Sequence, residues 1–179
     1  MLISLCEFEN CNAELGGAIF FNDGTTENKE TKYVTECTFT GCYATGKKGQ
    51  GYAIFGHSYQ INATSNTFKK ITNNQQPNNE IHTVIYIEME EEEVTPTLDL
   101  LTFEELQGVS ALTLKINSYA KLNNLKFKNI KNSIAPSINL DNWATTENVV
   151  FNDCEFSDIT NARCVCMKTN TNKNFVTTF

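Results

Sequence analysis

A phenylalanine followed three residues later by cysteine, isoleucine or leucine recurs six times along the chain, at Phe8, Phe39, Phe68, Phe103, Phe127 and Phe156. The anchors lie 31, 29, 35, 24 and 29 residues apart. A unit of that length is too small to enclose an apolar face by itself, so each unit must bury its face against its neighbours. The first two units match most closely: Cys6-Glu7-Phe8-Glu9-Asn10-Cys11 aligns with Cys37-Thr38-Phe39-Thr40-Gly41-Cys42.

Within each unit the side chains follow strand periodicity. The position two before the anchor holds Cys6, Cys37, Asn66, Leu101, Leu125 and Cys154. Apart from Asn66 these are apolar, and the spacing predicts that they share one strand face with the phenylalanine. The position two after it holds Asn10, Gly41, Lys70, Glu105, Asn129 and Asp158. Asparagine, glycine and aspartate tolerate the left-handed backbone of a sharp bend, so the strand is expected to end there. A second apolar patch follows each bend: Ala18-Ile19-Phe20, Ala53-Ile54-Phe55, Val84-Ile85-Tyr86, Ala111-Leu112, Ile138 with Leu140, and Cys164-Val165-Cys166. Polar connections at 22–32, 72–80 and 141–148 are expected along one outer edge. Composition agrees, because 23 asparagines and 22 threonines among 179 residues favour turns and solvated strands over helices.

These features predict an all-β chain, a right-handed parallel β-helix of about six coils with a period of about 30 residues, forming a single domain over 1–179. Coils stacked about 4.8 Å apart bury one continuous column. The six anchor phenylalanines would stack inside it. A leucine-rich repeat is the rival architecture, since Ile3-x-x-Cys6-x-Phe8-x-x-Cys11 satisfies the first half of its pattern. The second half is missing: the leucine expected five residues past the anchor is replaced by Ala13, Ala44, Asn73, Gly108, Asn132 and Asn161. Neither end carries an apparent cap, so a segment of a longer β-helix, or ends that dock on a partner, is expected.

Charge and cysteine usage narrow the partners. Net charge is −7 and Arg163 is the single arginine, which argues against nucleic acid. The first residues, Met1-Leu2-Ile3-Ser4-Leu5-Cys6-Glu7, lack the basic and apolar regions of a signal peptide. No apolar run reaches the roughly 18 residues of a membrane-spanning helix. The cysteine pairs 6/11 and 37/42 do not have zinc-site spacing, and His57 and His82 lie far from them in sequence, in the variable edge. Cysteines 6, 37 and 154 fall in one column and 11 and 42 in another, reading as small apolar rungs rather than disulfides or reactive thiols.

The stretch Phe8-Glu9-Asn10-Cys11-Asn12-Ala13-Glu14-Leu15-Gly16-Gly17-Ala18-Ile19 resembles the short repeats of the polymorphic outer-membrane protein family, which pair Phe-x-x-Asn with Gly-Gly-Ala-Ile or Gly-Gly-Ala-Val. It is similar also to repeats of β-helical surface proteins of parasitic protozoa. In the second unit Gly49-Gln50-Gly51-Tyr52-Ala53-Ile54 stands in place of the double glycine, and later units keep only the anchor. The resemblance implies an adhesin-like repeat module of a surface or secreted protein. Its partners would be further coils of a longer chain and a host or neighbouring-cell protein or glycan.

Two alternatives stay open, a carbohydrate-active enzyme of the pectin-lyase-like kind and an intracellular scaffold. Hydrolytic chemistry on a polysaccharide needs paired carboxylates beside a histidine and a basic clamp. Asp23, Asp99, Asp141, Asp153 and Asp158 are scattered, Gly56-His57-Ser58 is only part of such a motif, and Arg163 has one nearby acid, Asp158. No catalytic residue and no cofactor is therefore expected. Glu90, Glu91, Glu92 and Glu93, with Glu88, could gather calcium, although such a run more often forms a solvated loop that protects a sheet edge. Trp143 could stack on a sugar or anchor a protein, although packing against the solenoid wall is the plainer reading.

Overall fold

The computed structural model describes residues 1–23, 29–46, 50–73, 82–89, 94–116, 120–131, 138–142, 149–169 and 177–178. Its strands pair only in parallel and form a right-handed β-helix, with no helix among the described residues, which excludes the leucine-rich alternative. Each coil contributes one strand to each of three sheets. The leading sheet comprises Leu2–Ser4, Thr31–Thr35, Gln60–Thr64, Thr97–Asp99, Ala120–Asn123, Val149–Asn152 and Thr177–Thr178. The anchor sheet comprises Glu7–Glu9, Thr38–Thr40, Thr67–Lys69, Thr102–Gln107, Lys126–Lys131 and Glu155–Ser157. The return sheet comprises Ile19–Asn22, Ile54–His57, Thr83–Met89, Ser110–Ile116, Ile138–Asn142 and Val165–Thr169. Six coils pass through all three sheets, and Thr177–Thr178 opens a seventh. Every second apolar patch found in the sequence falls on the return sheet.

The six phenylalanines stand in register from Phe8 to Phe156. Their ring centroids are 4.6 to 5.2 Å apart and their planes lie within 14° of parallel. Phe39, Phe68, Phe103 and Phe127 are fully buried. The leading sheet contributes the column Val34, Ala63, Leu98, Leu122 and Phe151, and the return sheet contributes Ile19, Ile54, Ile85 and Leu112. Each ring removes enough apolar surface from water to stabilise the fold by about 1.5–3 kcal/mol.

Two left-handed residues recur in every coil and shape the cross-section, with a third at Gly16, Gly51, Gly108 and Asn161 in four of them. The expected left-handed residue after the anchor is present in all six coils, at Asn10, Gly41, Lys70, Glu105, Asn129 and Asp158, with φ between 52° and 62°, but the strand ends there in only four and runs on through Glu105 and Asn129 in Thr102–Gln107 and Lys126–Lys131. A second bend, not anticipated from the sequence, precedes it at Leu5, Glu36, Ser65, Leu100, Asn124 and Asp153, with φ between 51° and 56°. The residues two before each anchor therefore lie past this bend, between the leading and anchor strands, and do not share the anchor strand. They still face inward, because the left-handed residue between the strands shifts the alternation. Leucine and glutamate are poor left-handed residues, which is why this bend left no compositional mark.

Asn66, the polar exception in its column, is fully buried and closes that bend. Its Oδ1 accepts from the Cys37 amide at 2.9 Å and its Nδ2 donates to the Val34 carbonyl at 2.8 Å. The long connections also depart from expectation. Those after Asn22 and Asp141 join the return sheet to the leading sheet, whereas that after Thr72 joins the anchor sheet to the return sheet. Two edges of the solenoid, not one, accept insertions.

Two substitutions test this architecture with opposite signs. Phe68→Ala should lower stability by about 3–5 kcal/mol, because its neighbours in the stack cannot collapse into the gap. Leu100→Asn should raise it by about 0.5–1 kcal/mol, since Leu100 is 53% exposed at φ 55° and asparagine relieves the left-handed strain without losing a core contact. Urea denaturation of both variants checks the pair; equal destabilisation would contradict the bend assignment.

Candidate functional site

The bend after the anchor generates a groove on the first three coils. Asn10, Gly41 and Lys70 occupy the same bend in successive coils, held in line by the Asn10 amide to Thr40 O (2.9 Å) and the Gly41 amide to Lys69 O (3.2 Å). Asn10 and Lys70 project side chains and Gly41 has none, which leaves a notch between them. A Cβ on Gly41 would come within 2.6 Å of Asn10 Oδ1, so the asparagine leans over the gap. Together with Tyr43, Ala44, Tyr52 and Thr72 these residues line an open groove of about 580 Å³. That volume lies in the range of small-ligand sites.

The groove pairs an aromatic mouth with a fixed polar wall. Tyr43 is exposed and lines the groove together with the polar residues Asn10, Lys70 and Thr72. Tyr52 is buried behind, with its hydroxyl donating to Asn73 Oδ1 at 3.0 Å and lying 3.1 Å from His82 Nδ1. The Tyr52 and His82 rings meet edge to face at 5.8 Å. Burial pushes the Tyr52 hydroxyl up to about 12, so it stays protonated and serves as a hydrogen-bonding post. His82 is thus interior, not in the variable edge where its sequence neighbourhood placed it. The signal that could have located it is Tyr52, one coil earlier in the repeat.

The other candidates are dispersed. Asp99 lies on the leading sheet, where Asn124 Nδ2 donates to its Oδ1 at 2.9 Å, and Asp141 lies on the return sheet. Asp153 and Asp158 occupy opposite ends of one anchor strand, and Arg163 is exposed beyond the second of them. His57 stands in the return strand level with Asn22 and Glu88. Gly56 before it makes room for the Ile61 side chain, which occupies the place of a Cβ. Gly56 of the Gly56-His57-Ser58 fragment accordingly serves packing. Glu88 accepts from the Tyr86 hydroxyl at 2.7 Å and lies 3.7 Å from Lys115 Nζ on the outer face of the return sheet. Among the described residues no three His, Cys, Asp or Glu side chains converge as metal ligands. Glu90, Glu91, Glu92, Glu93 and Trp143 lie outside the described residues. No helix among the described residues is long and apolar enough to cross a membrane.

Both cysteine columns follow a left-handed bend, and their thiols turn back to the carbonyl two residues earlier. Cys6 reaches Ser4 O at 3.1 Å, Cys37 reaches Thr35 O at 3.2 Å and Cys154 reaches Asn152 O at 3.6 Å. Cys11 and Cys42 repeat this at Glu9 O and Thr40 O, at 3.6 and 3.7 Å. Cys37 and Cys42 are buried, whereas Cys6, Cys11 and Cys154 are half-buried towards the ends. Burial pushes the thiols of Cys37, Cys42 and Cys154 up, Cys42 to about 11.

One ion pair turns inward where the return sheet passes to the leading sheet. Lys32, on the inward side of its strand, holds Asp23 Oδ2 at 2.7 Å and Glu30 at 3.2 Å. Burial alone would raise the Asp23 carboxyl, but the Lys32 ammonium 2.7 Å away outweighs it and holds the carboxyl below its ordinary value. A lowered folded value means that the unfolded chain binds more protons in the acid range. The contribution of Asp23 is therefore complete at neutral pH and is lost as the pH falls below about 4 through the folded value. Asp23→Asn should destabilise the protein at pH 7 by about 1–3 kcal/mol and flatten its stability between pH 5 and 3 relative to wild type. Thermal melts across that range check it; parallel curves for the two proteins would contradict the pairing.

No family model matches the chain, and neither a curated protein nor a solved structure does. The fold and its periodic surface define the class: a repeat module of right-handed parallel β-helix type.

Proposed function

We propose that the chain is a non-enzymatic, adhesin-like repeat module of a surface or secreted protein, and that the groove around Gly41 binds a glycan. The observation that carries this reading is the notch itself, where a glycine interrupts the Asn10 to Lys70 row and the Tyr43 ring borders the gap. An aromatic face beside amide, hydroxyl and ammonium groups matches the apolar face and the hydroxyl edge of a sugar ring. The Tyr52, Asn73 and His82 hydrogen bonds hold the wall in one geometry, which limits the ordering cost of binding. Among the described residues Asp23, Asp99, Asp141, Asp153 and Asp158 are dispersed over separate sheets and bends, which favours binding over turnover. The sequence resemblance to polymorphic outer-membrane protein repeats supports the placement on a cell surface. Further coils of a longer chain would extend the same wall.

Glycan-array binding with purified protein tests the reading. Gly41→Asn should fill the notch while keeping a bend-compatible residue, as asparagine already serves at Asn10 and Asn129. That variant and Tyr43→Ala should each weaken the best glycan signal by roughly fivefold to tenfold, about 1–1.4 kcal/mol, with circular dichroism unchanged. Binding that ignores both substitutions, or an array with no bound glycan, would sink the groove assignment. Chain cleavage of polygalacturonate that disappears on substituting one carboxylate would replace this reading with the enzymatic one.

A further inference from the structure

The two cysteine columns bring thiols together between neighbouring coils. Cys6 and Cys37 occupy the same position after the first bend in coils one and two, flanked by the pairs Ser4 with Thr35 and Glu7 with Thr38. Cys11 and Cys42 occupy the same position after the second bend, next to the pair Asn12 with Tyr43. The backbone is tied at both places: the Thr38 amide donates to Cys6 O at 2.9 Å and the Tyr43 amide to Cys11 O at 3.0 Å. The second-coil thiols lean across the gap, Cys37 Sγ towards Ile3 O at 3.9 Å and Cys42 Sγ towards Phe8 O at 3.5 Å.

We propose that Cys6 with Cys37, and Cys11 with Cys42, form two disulfide sites through which a small-molecule disulfide oxidant staples the first coil to the second. A coil spacing of about 4.8 Å lies inside the Cα separation that a disulfide spans, and equivalent positions present parallel Cα–Cβ directions. Closing the bond needs the two Cβ atoms to approach by about 1 Å, from the coil spacing to the roughly 3.8 Å typical of a disulfide. The first coil can supply this, because among the described residues its strands pair on one side only. Within one coil, by contrast, Cys6 and Cys11 sit after different bends on either side of the Phe8 strand.

The half-buried partners react first. The Cys6 thiolate attacks one sulfur of the oxidant, forming a mixed disulfide and releasing one oxidant half as a thiol. Cys37 then attacks the Cys6 sulfur, closes the protein disulfide and releases the second half. Two protein thiols are oxidised, one oxidant disulfide is reduced to two thiols, and the protons leave on those thiols. Cys11 and Cys42 follow the same course. Burial disfavours the Cys37 and Cys42 thiolates, so the closing attack on the Cys6 or Cys11 sulfur is the slower of the two steps.

Cys154 serves as an internal control. It occupies the first-column position in the last coil, but the residue at that position one coil earlier is Leu125. Incubation of the folded chain with glutathione disulfide, in a Cys164→Ser, Cys166→Ser background, followed by non-reducing peptide mapping tests the assignment. The expected products are peptides joined at 6–37 and 11–42, each lighter by two hydrogens, with Cys154 still open to alkylation after unfolding. The melting temperature should rise by about 5 °C or more and return on reduction. Cys6→Ser should abolish the first bond and leave the second. Bonds at 6–11 and 37–42, or at 6–42 and 11–37, would overturn the proposal. So would mixed disulfides that persist on Cys6 and Cys11, or thiols that stay reduced in folded protein.

Discussion

In-register stacking of like residues on successive coils is the constraint on which the molecule depends. Parallel pairing at about 4.8 Å brings each side chain directly over its counterpart one coil away, so the repeat selects residues that attract their own kind. Phenylalanine stacks on phenylalanine, isoleucine on isoleucine or leucine, and on the outer wall Thr64 donates to Thr35 and Asn152 to Asn123. At some positions where the kind changes between coils the pairing is ionic, as at Glu88 with Lys115 and Glu104 with Lys128. A departure from sameness is therefore where something other than stability can enter.

Gly41 is such a departure. Every other coil projects a side chain from that bend, and its absence in one coil cuts a groove without disturbing the backbone on either side. The bend tolerates glycine better than any other residue, so the notch carries no steric strain, only the entropic cost of ordering a glycine. Asn66 is a departure of the opposite kind: a polar side chain in an apolar column, stabilised because it replaces two backbone hydrogen bonds that the bend forgoes. Glycine opens the surface, whereas asparagine closes the interior.

The cysteines connect core and surface chemistry. In the thiol form each is a small rung with a weak hydrogen bond to a nearby carbonyl, which accounts for their recurrence after left-handed bends. The same recurrence places thiols over thiols, because stacking makes no distinction between packing partners and reactive ones. A repeat that duplicates a cysteine in consecutive units thus creates a cross-link site as a consequence of its geometry.

The all-β class, the repeat, the phenylalanine column, the bend after each anchor and the return strands were legible in the sequence, because a period near 30 imposes itself on local side-chain pattern. The bend before each anchor was not. Its residues include Leu5, Glu36 and Leu100, types that signal nothing left-handed, and only the closure of each coil forces them there. Nor could the sequence reveal that His82 would meet Tyr52, or that Asn10, Gly41 and Lys70 would border one groove, since these residues come together only when coils of unequal length are brought into register. Residue pattern determines which faces must be buried; the stacking of coils decides which distant residues share a surface.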